Sequence, residues 1–109
     1  MEEASEWIIA GVFYVEDGRI WKRGRDEPLA EREQVRNRCE YGDARVDLWY
    51  DGKRKSLFVS QIVWIANTGQ SIPPNFEIHH RDEDYTNNEF INLLCVHALD
   101  HAKLHREAE

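Results

Sequence analysis

IHHRDEDYTNNEFINLLCVHALDHAKLH, residues 78 to 105, holds all five histidines of the chain. Two are adjacent, His79 and His80, and three follow at i, i+4 and i+8: His97, His101 and His105, on what reads as the opening turns of a C-terminal helix. Neighbours on a strand point to opposite faces, whereas residues four apart on a helix share one. One member of the pair can therefore join helix histidines at a metal while the other is left as a base. Between the two groups lies an Asn-rich connection, Asn87-Asn88 and then Asn92-Leu93.

The 109 residues make one domain with one modest core. A hydrophobic content of 41% with four Trp, four Tyr and four Phe fits a compact soluble fold. No apolar run reaches the length of a membrane span and the start, Met1-Glu2-Glu3, is not that of a signal peptide, so a cytoplasmic protein is expected. Cys39 and Cys95 stand far apart with no CxxC, which excludes a four-cysteine zinc site; both are expected as reduced thiols, Cys95 as a small core residue.

The net charge of −7 argues against a nonspecific nucleic-acid binder. Its distribution softens the objection: residues 1–70 hold 11 Lys and Arg against 13 Asp and Glu, residues 71–109 hold 3 against 8. Metal sites use nearby negative charge, so the half with the histidines being the acidic half is coherent.

Residues 1–6 are acidic and expected to fray. Val12 to Val15, then Glu16-Asp17-Gly18-Arg19, then Ile20-Trp21 reads as a β-hairpin, since Asp-Gly supplies the positive φ angles of a tight turn. Lys22, Arg23 and Arg25 form a first basic cluster, either a solvated loop or a phosphate contact. Residues 26–44 have few large apolar side chains, and LAEREQVRNR after Pro28 reads as a short exposed helix or an irregular connection. Residues 45–50 alternate as a half-buried strand, Asp51-Gly52 turns it, and Leu57-Phe58-Val59 returns, with Lys53, Arg54 and Lys55 near the tip. Ser60 is placed to cap a helix over 61–67 that Gly69 stops, and Ile72-Pro73-Pro74-Asn75 leads into the histidine stretch.

The order His79-His80-Arg81-Asp82, Asn87-Asn88, Asn92-Leu93, His101-Ala102-Lys103-Leu104-His105 resembles the HNH nuclease motif, also called the His-Me or ββα-metal finger, of the phage and homing type. The resemblance covers about residues 57 to 106. It implies an α+β fold: antiparallel β-hairpins and a short helix over 1–70, then a ββα finger over 71–107 whose final helix runs near 98 to 107. It further implies a metal-dependent endonuclease acting on DNA. On that pattern His80 is the general base, for which neutral imidazole suits physiological pH. His79 takes the position of a metal ligand with His101 as its partner, and His105, one turn on, ligates the metal or meets phosphate.

Asn92 corresponds to the central N of the motif, with a side-chain amide expected to hold the loop and so keep the base in register. Asn87 and Asn88 are expected to shape the loop, Asp82 and Asp84 to form turns rather than ligate, and His97 to be a loop residue rather than a third ligand. Glu83 departs from the pattern, where a Gly commonly follows HHxD. The cofactor implied is a divalent ion among Mg, Mn, Zn, Ni and Co. Since the finger is acidic, phosphate should be met by Lys53, Arg54 and Lys55, with Lys22, Arg23 and Arg25 as a second contact. Two other classes of function fit parts of the sequence: a nucleic-acid-binding ββα module without cleavage, and a zinc-stabilised interaction domain that never meets DNA.

Overall fold

A computed structural model of the chain describes residues 2–35, 42–84 and 87–99. In order these form α1 (Glu2–Ile9), β1 (Phe13–Glu16), β2 (Arg19–Lys22), β3 (Arg32–Val35), β4 (Gly42–Tyr50), β5 (Lys53–Phe58), α2 (Val59–Thr68), β6 (Phe76–His80), a 3-10 turn (Phe90–Asn92) and β7 (Leu93–His97). The strands make three antiparallel sheets, β1-β2, β3-β4-β5 and β6-β7. This is the α+β class that the sequence implied.

Both Asp-Gly pairs do what their chemistry suggests. Asp17 and Gly18 take φ 50° and 73°, Asp51 and Gly52 take 53° and 73°. Two successive positive angles define the type I′ turn whose twist matches antiparallel neighbours. β4 then alternates as expected, with Val46 and Leu48 buried beneath α2 and Trp49 facing out.

From Glu2 onward the acidic N-terminal segment is not frayed. Residues 2–9 are helical because Ala4, Ser5, Trp7 and Ile8 fall on one face and are buried, while Glu2 and Glu3 sit in the first turn, where the helix dipole favours negative charge. Eight residues do not hold a helix in isolation. Packing does: Trp7 lies 6.1 Å from Phe13 and edge-on to Tyr50 at 5.5 Å. Gly11, at φ 83°, ends the helix, with its N–H donating to Ile8 O and that of Val12 to Trp7 O. That paired geometry is the Schellman motif, which favours glycine at this position.

Neither reading of LAEREQVRNR describes its middle. Residues 32–35 form β3, aligned from Arg32 opposite Arg45 to Val35 opposite Gly42. A strand edge on β4 that would otherwise be open satisfies this backbone, and pairing overrides the helical preference of Glu, Arg and Gln. Helix α2 begins two residues before its expected start; Ser60 lies inside it and is not its cap. The first turn is closed instead by Gln61, whose side-chain oxygen accepts from Phe58 N–H at 2.9 Å, and Gly69 at φ 68° ends the helix.

The core is one apolar cluster that joins the β6-β7 hairpin to the rest. Ile62 and Ile65 of α2 lie at its centre with Phe13, Ile20, Val46 and Leu48, and Ile78 and Leu93 extend it into the hairpin. Ser5 Oγ to Ser71 Oγ, 3.0 Å, ties α1 to the Ile72-Pro73-Pro74 link. Residues 98 and 99 are helical, and the rest of the expected final helix lies outside the described residues.

Candidate active site

β6 and β7 align Ile78 with Cys95, His79 with Leu94 and His80 with Leu93. Strand alternation therefore puts His80 on the face that Ile78 and Leu93 bury, and His79 on the other. Both rings are enclosed, His79 at 9% exposure and His80 at 3%.

The connection from residue 81 to 92 is laced by amide and carboxylate groups. Asn92 is buried and its side chain bonds three ways: Oδ1 accepts from Asp82 N–H at 3.1 Å, and Nδ2 donates to Asp82 Oδ1 at 3.0 Å and to the Asn87 carbonyl at 2.9 Å. Its own carbonyl accepts from Arg81 N–H at 2.8 Å, continuing the ladder by one step. Asp82 is the second hub. Its Oδ1 accepts from Asp84 N–H at 2.9 Å, an Asx turn, and its Oδ2 from Asn87 Nδ2 at 2.9 Å. The Asn87 amide, then the Asp84 N–H and the Asn92 amide, hold this exposed carboxyl below the usual carboxylate range. Glu83 turns the chain in the left-handed region at φ 61°, where a β-carbon is strained and glycine is not.

Asn88 had no role in the sequence beyond shaping the loop. In the structure its Oδ1 stands 2.8 Å from His80 Nε2. The Asn-Asn pair was a visible signal, yet loop position alone does not reveal which amide reaches the ring.

His97 needs correction. It is the last residue of β7, a strand position and neither a loop residue nor part of a helical turn. Its ring packs edge-on to Phe76 at 5.4 Å, and its Nδ1 accepts from Leu99 N–H at 3.2 Å, capping residues 98 and 99. The four-residue spacing thus starts from a strand end. His101 and His105 lie outside the described residues, as does Cys39. Among the described residues no three or more His, Cys, Asp or Glu side chains group to hold a metal. Cys95 is a half-buried free thiol packed against the core, pushed up by burial and so poorly suited to act as a nucleophile.

The basic residues divide by strand face. Lys53 Nζ meets Glu3 Oε2 of α1 at 2.8 Å, and Lys55 reaches Glu3 Oε1 at 3.7 Å. The Lys53 hydrogen bond holds the Glu3 carboxyl low and the Lys53 ammonium high. Arg54, on the opposite face, lies over the Trp49 ring at 5.8 Å. Lys22 Nζ donates to the Trp49 carbonyl at 2.7 Å, which carries the first basic cluster to the end of β4. Arg23 and Arg25 are exposed.

Residues 57–103 match the model of a family described as HNH endonuclease. The chain also shares its fold with a solved structure described as DNA binding and cleavage by the HNH homing endonuclease I-HmuI. The TM-score is 0.69 at 19% identity, over 90% of this chain and 53% of that one. This chain thus spans about half the length of that structure. No curated protein matches it in sequence. The family match over residues 57–103 supports a nuclease-type function, and the solved structure shares the fold. Among the described residues no helix is long and apolar enough to cross a membrane.

Proposed function

We propose that this chain is a metal-dependent HNH endonuclease that hydrolyses DNA phosphodiester bonds, with residues 1–70 and 71–107 working as one unit around their shared core. The observation that carries this is the placement of His79 and His80 on opposite faces at the end of β6, beside a loop laced by Asn92, within a segment that matches the family. His80 serves as general base. His79 and His101 hold the metal, and His105 adds a ligand or meets phosphate.

The donor set fits a divalent ion: neutral imidazoles suit Zn, Ni, Co or Mn, and a phosphate-rich complex also takes Mg. Two protein ligands leave positions open for phosphate and water. When bound, such an ion supplies a Lewis acid that neutralises charge on the phosphate and the leaving oxygen. The protein's own contribution is positional. Asn92 keeps the loop closed behind β6, and His80 takes the proton of the attacking water through an imidazole lone pair.

For DNA contact, Arg54 beside Trp49 offers charge and an exposed ring together, with Lys22, Arg23 and Arg25 alongside. Lys53 and Lys55 join only to the extent that they release Glu3. Nicking of supercoiled plasmid by wild type and His80→Ala, with each divalent metal in turn, tests the proposal. Metal-dependent nicking that His80→Ala loses supports it; a wild type that binds DNA in a salt-dependent way yet never nicks would leave a binding module instead.

A further inference from the structure

We infer that Asn88 is a positioning residue for the base: its side-chain oxygen holds His80 in the Nε2–H tautomer and so presents Nδ1 as the nitrogen that accepts the proton. This rests on the reading of His80 as the base.

The 2.8 Å contact joins His80 Nε2 to Asn88 Oδ1. An amide oxygen only accepts, so Nε2 carries the hydrogen, and a neutral imidazole then has its lone pair on Nδ1. Both partners are held in place. The His80 ring is 3% exposed, with Leu93 opposite it on β7. Asn88 follows Asn87, whose backbone N–H donates to Asp84 O at 3.0 Å, whose carbonyl accepts from Asn92, and whose side chain bonds Asp82 and Glu89 N–H.

Labour in the loop is thereby divided. The Asn92 amide is used on Asp82 and Asn87 and shapes the backbone, while the Asn88 amide sets the ring. Orientation of a histidine through its second nitrogen is the usual way a protein chooses which lone pair it offers.

The test reads the His80 ring directly by NMR of the metal-free protein labelled at imidazole nitrogen, beside plasmid nicking. In wild type the ring proton should sit on Nε2 and exchange slowly with solvent. Asn88→Leu, similar in size but without an acceptor, should lose that protected resonance and nick roughly 10- to 100-fold more slowly, with metal affinity unchanged. Asn88→Asp keeps an oxygen at the same place and should recover the resonance and part of the rate.

A wild-type proton on Nδ1, which needs no variant to fold, overturns the inference, as does an Asn88→Leu protein that keeps both the Nε2–H resonance and full activity. If His80→Ala nicks as fast as wild type, the base reading fails. If His80→Ala is inactive while Asn88→Leu is unaffected, only the role of Asn88 fails.

Discussion

Replacing Asn92 by alanine removes a buried amide that ties Asp82, at the start of the finger loop, to Asn87 in its middle. Three hydrogen bonds go with it. The bond to the Asp82 carboxylate counts for little, because that carboxylate is exposed and water replaces the donor. The other two join backbone groups, Asp82 N–H and the Asn87 carbonyl, to a side chain only 7% exposed. At about 0.5–1.5 kcal/mol net for each, the loss is about 1–3 kcal/mol. For a chain of this size that lowers Tm by roughly 4–12 °C. Urea titration followed by circular dichroism gives the free energy, and nicking assays on the same protein at a temperature where it is folded give the rate. Asn92→Asp sharpens the test. It keeps the acceptor for Asp82 N–H but sets a second carboxylate oxygen against Asp82 Oδ1 and the Asn87 carbonyl, so it should be at least as destabilising at neutral pH. An Asn92→Ala protein as stable as wild type yet devoid of cleavage would refute the clamp and move Asn92 to the substrate.

Glu83→Gly should raise stability by about 0.5–1 kcal/mol in the same urea titration, because φ 61° is strained for Glu and free for Gly. A loss of stability would mean that the Glu83 side chain matters more than its backbone. The Asp82 carboxyl titrates lower in the folded state than in the unfolded chain, so its contribution is complete above the ordinary Asp range, near pH ~3.9, and is lost as pH falls through the lower folded value. Amide exchange in residues 82–92 should therefore be independent of pH-driven loosening at neutrality and show it only in acid; Asp82→Asn should abolish that step. Glu3→Gln frees Lys53 and Lys55 and should tighten DNA binding and steepen its salt dependence, by about one unit of slope per phosphate gained. Unchanged fluorescence-anisotropy titrations at several salt concentrations would remove this face from the interface.

What could be read in the sequence was whatever local chemistry decides. Asp17-Gly18 and Asp51-Gly52 are turns because few other residue pairs take two positive φ angles, and Gly69 ends α2 for the same reason. What escaped was decided by partners distant in sequence. Ala4, Trp7 and Ile8 form a helical face only if Phe13 and Tyr50 receive Trp7, although Gly11 was a usable stop signal. Residues 32–35 read as a short helix or an irregular connection and become strand because β4 needs a neighbour. At the site, adjacent histidines announced two opposed faces, but His97 was misplaced because a four-residue spacing does not reveal that it starts from a strand end. Asn88 escaped because one side chain's reach to His80 depends on how the whole loop is tied.

Calorimetric titration of a divalent metal into His79→Ala, His80→Ala and His101→Ala, with nicking measured on the same samples, tests the separation of base from ligand most directly. His80→Ala should bind metal like wild type while nicking roughly 10²- to 10⁴-fold more slowly, the usual contribution of a general base. His79→Ala and His101→Ala should bind metal weakly, with part of their activity returning in excess metal. Loss of metal binding in His80→Ala together with its retention in His79→Ala would contradict the assignment and exchange the two roles.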